Sequence, residues 1–231
     1  MTSLVASIRT VVHRVWRFRV RAPLNGVDER VVMGVPLAVT PGVLHPALFA
    51  SSRFLGDVVR SFDLRGTRVA DLGTGSGFLA LLAARGGAVV TAIDISSAAA
   101  ACARTNVARN SMEDRVSVVE SDVFDGVSPD LRFDYVISNP PFYLRDPVND
   151  ADRAFAAGAR NEFFRKLGAQ IRDRLCAGGR LVLVHSSDAD FDAIRLMLTA
   201  GGLRERSSRT KRTLFETLTI REFVVEGDDA D

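Results

Sequence analysis

One short segment restricts the fold of this chain more than any other. Val69–Gly77 reads Val-Ala-Asp-Leu-Gly-Thr-Gly-Ser-Gly, and the apolar run Phe78–Ala84 follows it directly. Three glycines at alternate positions allow a tight backbone turn and leave no Cβ between that turn and a ligand. A strand that ends in such a turn and then opens a helix suits the close approach of a nucleotide-like ligand. The segment therefore predicts a strand, a glycine turn and a helix beside a binding site.

From Arg68 onward, apolar runs of strand length alternate with helical patterns. Strands are predicted at Arg68–Leu72, Val89–Ile93, Val116–Val119, Phe133–Ile137 and Arg180–Val184. Helices are predicted at Phe78–Ala84, Ala98–Asn110, Glu162–Leu175 and Asp190–Leu198. Two further β-like runs, Leu203–Ser208 and Thr213–Val225, lie close enough together to pair as a hairpin. The order predicts an α/β fold with a doubly wound, mostly parallel seven-stranded sheet, helices on both faces and a C-terminal antiparallel hairpin.

Polar side chains stand where four predicted strands end: Asp71, Asp94, Asp122 and Asn139. Because ligands of doubly wound sheets bind outside the carboxyl ends of the strands, we expect these side chains to converge on one crevice. Asp94 follows the glycine turn by about 20 residues, the spacing of an acid that hydrogen-bonds ribose hydroxyls. Asp122 is placed to accept a hydrogen bond from an exocyclic amine, and the nearby Glu120 is the alternative for that role.

Two common nucleotide-binding motifs do not fit the glycine turn. Phe78 stands where the last glycine of a Gly-x-Gly-x-x-Gly dinucleotide motif belongs. A P-loop requires Gly-Lys-Ser/Thr, and no lysine lies near the turn. The site is therefore expected to take a nucleotide-like ligand that is neither a dinucleotide nor a nucleoside triphosphate.

A second motif, Ser138-Asn139-Pro140-Pro141-Phe142, directly follows the predicted strand Phe133–Ile137. The two prolines restrict the backbone and remove its N–H donors. Asn139 and the Pro140 carbonyl can therefore present hydrogen-bond acceptors as a rigid pair, which suits an N–H₂ group. Phe142 is placed to stack on a planar acceptor.

The segment Asp71–Gly77 resembles the first motif of class I S-adenosylmethionine-dependent methyltransferases, and the resemblance extends over about residues 40–225. It implies the Rossmann-like methyltransferase fold and S-adenosyl-L-methionine as the cofactor. The resemblance assigns the methionine part to Asp71 and the turn residues Gly73, Thr74, Gly75 and Gly77, the ribose to Asp94, and the adenine to Asp122 and Val123. Ile95 is also among the residues that it implies for cofactor binding.

The second motif is similar to the Asn-Pro-Pro-Tyr/Phe motif of methyltransferases that act on planar nitrogen. The similarity implies catalytic roles for Asn139, Pro140 and Phe142, with Asn139 also bordering the cofactor. Such enzymes mainly supply proximity and alignment for an in-line displacement. A strong general base is not required, because the nitrogen becomes acidic only as it attacks.

Three classes of methyl acceptor are open. The chain resembles the short branch of the HemK-type protein glutamine methyltransferases, so the best interpretation is a glutamine side-chain amide. RNA adenine or guanine amines are the first alternative, with Arg9–Arg21 and the basic run from Arg204 to Arg212 as a binding surface. A small-molecule amine or amide is the second, with the loop Tyr143–Ala159 forming much of the pocket. A non-catalytic, methyltransferase-like partner subunit is a further alternative.

Composition and charge add expectations about location and partners. The 231 residues carry a formal net charge of only +2 and two cysteines in apolar helical patterns, which indicates a cytoplasmic protein without a disulfide framework. Three scattered histidines and no long apolar run predict neither a metal site nor a membrane contact. A small activator subunit or a homodimer is a possible assembly. The predicted units are an N-terminal helix with short strands packed on the core as a cover for the acceptor side (1–45), the methyltransferase domain (46–226) and a frayed tail (227–231).

Overall fold

The computed structural model describes residues 26–141, 146, 148, 158–214 and 216–227. Within these ranges nine strands occur: β1 Asp28–Val32, β2 Val35–Val39, β3 Arg68–Leu72, β4 Val89–Asp94, β5 Val116–Glu120, β6 Phe133–Ser138, β7 Leu175–Ser186, β8 Leu203–Arg212 and β9 Thr217–Val225. The α-helices of the same ranges are α1 Ala50–Val59, α2 Phe78–Arg85, α3 Ser97–Arg109, α4 Glu162–Gln170 and α5 Phe191–Ala200. Short 3₁₀ helices cover Pro46–Leu48 and Ile171–Arg174.

Seven strands form one sheet in the order β5-β4-β3-β6-β7-β9-β8, while β1 and β2 form a separate antiparallel hairpin. The first five strands of that order are parallel, and β9 runs antiparallel to both β7 and β8. The predicted fold class is therefore confirmed. The chain moves from β3 outward to β5 and then returns to β6 on the other side of β3. Ligands of open α/β sheets bind at such a reversal point.

Hydrophobic cores cover both faces of the sheet, because successive strand residues point to opposite sides. Val69 and Val90 belong to a cluster that includes buried residues of α1, α2 and α3. Ala70 and Ile93, on the other face, belong to a cluster with residues of α4 and α5. The apolar runs of the sequence thus correspond to strands that are buried on both faces.

The β1–β2 hairpin packs on the first of these cores through Val35 and Leu37. A fully buried amide, Asn106 of α3, fastens it further: Oδ1 accepts a hydrogen bond from the Ala38 N–H at 2.8 Å, and Nδ2 donates to the carbonyl oxygens of Ala38 and Ser76 at 3.0 and 2.9 Å. One side chain therefore links the hairpin, α3 and the glycine turn.

The boundary between α4 and β7 differs from the sequence prediction. The α-helix predicted over Glu162–Leu175 ends at Gln170, and β7 begins at Leu175 rather than at Arg180. The register explains the longer strand, because Leu175 pairs with Phe133 and Arg180 pairs with Tyr135, so β7 bulges between these pairs. Gly179 permits the bulge, since a Cβ there would lie 2.8 Å from the Phe133 carbonyl oxygen.

Some predictions fall on residues outside the described ranges. These are residues 1–25, where the N-terminal helix is predicted, together with Phe142, most of the loop 143–159 and residues 228–231 of the tail. Among the described residues, no helix has both the length and the hydropathy needed to cross a membrane.

Candidate active site

A pocket opens at the carboxyl ends of β3, β4 and β6, at the point where the strand order reverses. The space within the pocket and its open mouth amounts to about 990 Å³. Eight of the predicted site residues line it: Gly73, Thr74, Gly75, Asp94, Ile95, Asp122, Val123 and Asn139. Of the four polar strand ends expected to converge, Asp94, Asp122 and Asn139 line this crevice, whereas Asp71 is buried and does not. The lining also includes Val43, Leu44 and Pro46 from the segment between β2 and α1.

The glycine turn is held by its own backbone N–H groups. The Ile93 carbonyl oxygen accepts hydrogen bonds from the N–H groups of Gly73 and Thr74 at 2.8 and 2.9 Å, and the Gly77 N–H donates to the Thr74 carbonyl. Gly73 has a φ of +74°, and a Cβ added there would meet no atom within 4 Å, so it would project into open space. The turn therefore allows a ligand to approach its backbone closely, rather than presenting N–H donors to that ligand.

Asp71 lies behind the turn, fully buried and off the pocket wall. Its Oδ2 accepts hydrogen bonds from Thr74 Oγ1 at 2.6 Å and from the Ala80 N–H at 3.0 Å, which joins the turn to the start of α2. Its Oδ1 has no hydrogen-bond partner among the described residues. Burial raises the pKa of the Asp71 carboxyl to about 7; the two hydrogen bonds oppose this rise, and the charge of Asp94 adds to it.

Asp94, at the end of β4, connects the glycine turn to the next loop. Its Oδ2 accepts a hydrogen bond from the Gly75 N–H at 2.8 Å, and its Oδ1 accepts one from the Ser96 N–H at 3.0 Å. Each carboxylate oxygen can accept more than one hydrogen bond. Asp94 can therefore hold the turn and also accept from hydroxyl groups of a ligand.

The loop after β5 brings Asp122 and Val123 to the pocket wall, whereas Glu120 belongs to β5 and is not part of the lining. Val123 has a φ of +51°. A β-branched residue in this left-handed region is strained, and such strain persists only where the surroundings hold it. The Asp122 carboxylate forms an ion pair with Lys166 of α4.

Asn139 follows β6 beside the glycine turn, because Ser138 pairs with Leu72 in the register of β6 and β3. Its Nδ2 donates a hydrogen bond at 3.1 Å to the hydroxyl oxygen of Ser52, on α1. This bond directs the amide nitrogen toward α1 and leaves the Oδ1 edge for other groups. Pro141 also lines the pocket, whereas Pro140 is buried behind it.

Several side chains of this site carry no signal in the local sequence. Ser52 orients the Asn139 amide, Phe163 lines the pocket from α4, and Lys166 and Asn106 hold the two loops that form its walls. The bonds they make span 30 to 87 residues of chain, so no local pattern identifies them. No group of three or more His, Cys, Asp or Glu side chains suited to a metal ion occurs in the ranges that the structure describes.

Comparison with known proteins agrees with this architecture. A sequence model of the family described as methyltransferase small domain matches residues 49–205. The chain is 35% identical over 194 residues to a release factor glutamine methyltransferase of Bordetella pertussis, which covers 78% of this chain and 70% of that protein. It is 39% identical over 126 residues to a release factor glutamine methyltransferase of Rhodopirellula baltica, covering 54% of this chain and 40% of the relative.

A third relative carries a different name. The chain is 35% identical over 126 residues to a tRNA1(Val) (adenine(37)-N6)-methyltransferase of Bacteroides thetaiotaomicron, covering 52% of each protein. The chain thus spans about half or less of the length of the Rhodopirellula and Bacteroides relatives.

Solved structures share the fold. A 16S rRNA N2 G1207 methyltransferase of T. thermophilus, solved with AdoMet and guanosine, superposes with a TM-score of 0.61 at 22% identity, covering 85% of this chain and 50% of that one. A tRNA m1G37 methyltransferase of M. jannaschii gives a TM-score of 0.63 at 19% identity, covering 87% of this chain and 58% of that one. With more than half of its residues matched by the family model and a sheet of the same architecture, the chain belongs to the methyltransferase small domain family.

Proposed function

We propose that this chain is an S-adenosylmethionine-dependent N-methyltransferase that acts on a planar nitrogen, with a protein glutamine side-chain amide as the acceptor. The observation that carries the proposal is the position of Asn139. Its amide borders the same pocket as the glycine turn, and Ser52 orients it so that Oδ1 can accept a hydrogen bond. One pocket therefore combines a cradle for a nucleoside cofactor with a hydrogen-bond acceptor for an N–H₂ group.

The residues present suit this cofactor. Gly73 leaves open the space that a Cβ would fill, so a ligand can approach the turn closely, and the carboxylate of Asp71 with its unpartnered Oδ1, buried behind that turn, places a negative charge there that favours an ammonium group. In this assignment Asp71 and the turn Gly73–Gly77 hold the methionine part, Asp94 and Ile95 hold the ribose, and Asp122 with Val123 holds the adenine. The bound cofactor supplies an activated methyl group on a sulfonium.

The chain itself contributes alignment. Asn139 Oδ1 would accept an N–H bond of the acceptor, which would orient the nitrogen lone pair toward the methyl group and stabilise the positive charge that develops on nitrogen. A similar role for the Pro140 carbonyl oxygen stays a prediction, because Pro140 is buried and does not line the pocket. Pro141 stiffens the backbone around them. Stacking of the acceptor on Phe142 remains a prediction, since Phe142 lies outside the described residues.

The comparison with the Bordetella pertussis protein supports glutamine, because it covers the largest shares of both chains among the relatives compared. A second candidate, an RNA adenine or guanine amine, is favoured by the edge strand β8. This strand carries Arg204, Arg206, Arg209, Lys211 and Arg212, most of them exposed. Lys211 Nζ lies 5.5 Å from the centroid of the Phe54 ring, on the helix that also carries Ser52. Cations beside an acceptor site are what contacts to phosphates require.

The remaining expectations concern surroundings and assembly. We propose that the N-terminal 45 residues cover the acceptor side, which agrees with the presence of Val43 and Leu44 in the pocket wall. A small activator subunit or a second copy of the chain, and a cytoplasmic location, belong to the same proposal. Light scattering tests the assembly by measuring the molar mass of the purified chain and of the complex isolated from its host.

Transfer of a tritium-labelled methyl group tests the function directly. Host lysate is separated into protein, RNA and small-molecule fractions, and each is incubated with the enzyme and labelled S-adenosylmethionine. We expect label in protein, recovered as N-methylglutamine after enzymatic digestion. Label recovered as methylated adenosine or guanosine would instead support the second candidate. Absence of label from all three fractions would contradict the proposed activity.

Replacement of Asp94 with Ala is expected to weaken S-adenosylhomocysteine binding by about 10- to 100-fold. The variant removes an acceptor of ribose hydroxyl bonds and also releases the Gly75 N–H, and a hydrogen bond to a charged group contributes about 1.5–3 kcal/mol. Isothermal titration calorimetry measures the change. Asp114→Ala, in an exposed turn before β5 at the opposite end of the sheet, is the matched control. Equal affinity of the Asp94 variant and the wild type would refute the ribose assignment.

A further inference from the structure

Helix α4 presents a half-buried stripe to the pocket and to the loop after β5. Phe163, Lys166 and Gln170 are spaced by three and four residues, so they lie on one face of the helix. Their neighbours Phe164 and Leu167 are fully buried in the core beneath. Phe163 reaches the pocket wall, while Lys166 and Gln170 contact the loop of residues 121–127, which we term the β5 loop.

Four polar contacts join α4 to the β5 loop. Lys166 Nζ lies 2.5 Å from Asp122 Oδ2 and 2.5 Å from Asp125 Oδ2. Gln170 Nε2 donates to Asp125 Oδ1 at 2.8 Å, and Gln170 Oε1 accepts from the Phe124 N–H at 3.1 Å. The contacted residues lie on both sides of Val123 in the chain. Val123, which borders the pocket, is therefore flanked by residues that bind to α4.

The conformation that these contacts hold is a strained one. The φ of +51° at Val123 places a β-branched residue in a region that such residues avoid, while its side chain is buried. A loop released from its restraints would relax toward ordinary backbone angles and carry Asp122 away from the pocket wall. The ion pair between Lys166 and Asp122 also orients the Asp122 carboxylate, because Oδ2 faces the lysine.

We propose that Lys166 and Gln170 are positioning residues that hold the β5 loop in the shape required to bind the nucleobase end of the cofactor. The inference rests on the proposed function for the identity of the ligand. Neither side chain lines the pocket. Lys166 acts through Asp122 and Asp125, and Gln170 acts through Phe124 and Asp125.

The binding test compares Lys166→Met with the wild type by calorimetry, using S-adenosylhomocysteine and adenosine as separate probes. We expect both probes to bind about tenfold more weakly, which corresponds to about 1.4 kcal/mol. The loss should be the same for each, because the altered loop contacts only the part that the two probes share. Arg165→Met, an exposed neighbour on α4, is the matched control and should bind both probes as the wild type does.

Amide hydrogen exchange of the ligand-free protein provides a second, independent measurement. We expect faster exchange at Phe124 and Gly126 in Lys166→Met and in Gln170→Leu, with unchanged exchange in β3 and β4. Lys166→Arg, which keeps the cation, should restore most of the protection. Should the wild type fail to bind either probe, the proposed function falls, while the exchange measurement still decides the role of the loop contacts. Wild-type affinity and wild-type exchange in Lys166→Met would overturn the inference.

Discussion

The Asn139→Ala variant is expected to lose turnover by about 10²-fold or more, while S-adenosylhomocysteine binds with little change in affinity. The reason is geometric: the amide oxygen is proposed to align the acceptor nitrogen, and misplacement by about 1 Å costs roughly this factor. The glycine turn, Asp71 and Asp94 keep their hydrogen bonds, because none of these is made to the Asn139 side chain. Single-turnover methyl transfer and calorimetry separate the two effects.

Ser52→Ala provides a graded comparison for this experiment. It removes the hydroxyl that accepts the hydrogen bond from Asn139 Nδ2 but leaves the amide in place. We expect an intermediate loss of turnover, about tenfold, since the group is present but less well oriented. Thermal unfolding of both variants establishes that they are folded. Full turnover in Asn139→Ala would exclude the proposed alignment, and a larger loss in Ser52→Ala than in Asn139→Ala would contradict the proposed order of their roles.

The second large effect concerns Asp71, whose replacement by Asn is expected to stabilise the protein at pH 8 and to weaken cofactor binding. The pKa of this carboxyl is about 7 in the folded chain, against an ordinary value of 3.8. Between these values the unfolded chain has released the proton that the folded chain still holds. Wild-type stability therefore falls as the pH rises from about 4 to about 7 and then levels off.

An asparagine resembles the protonated acid and can still accept from Thr74 and Ala80 through its amide oxygen. The expected gain in the free energy of unfolding is therefore up to about 4 kcal/mol at pH 8 and close to zero at pH 4. Urea unfolding at several pH values measures it, with Asp57→Asn on the exposed side of α1 as the control. A pH dependence as steep in the Asp71 variant as in the wild type would show that another group is responsible.

The opposite effects expected on stability and on binding give Asp71 a physical interpretation. A buried carboxylate with an unpartnered oxygen is costly in the folded chain, and a bound ammonium group would compensate that cost. The wild type would then lack the stability that the asparagine variant gains, and would keep a charge directed at the methionine end of the cofactor. Stability and function compete at this position.

The sequence predicted the features that depend on interactions between residues near one another in the chain. Strand and helix periods, the glycine turn after β3 and the polar residues at strand ends depend on neighbours in the chain, and the structure has the predicted strands and helices to within a few residues in most cases. The largest differences are the end of α4, which comes five residues early, and the start of β7, where pairing with β6 rather than local propensity extended the strand by five residues.

The environment of the Asp71 carboxylate could not be predicted from the neighbouring sequence. The sequence places it at a strand end beside the turn, but only the packing of α2 against that turn decides that its carboxylate is buried and bonded to Thr74 and Ala80 rather than exposed on the pocket wall. A raised pKa is a property of that burial, so it cannot be inferred from the motif.

The sequence alone determined the sheet architecture and the family, because each of these follows from the order of short segments. Only the tertiary structure decided which side chains support that pocket: Ser52 beneath Asn139, Lys166 and Gln170 behind Asp122, and Asn106 behind Ser76. These contacts join residues from different helices, strands and loops. Their existence depends on how the helices dock on the two faces of the sheet, and that docking is set by the shape of the whole core.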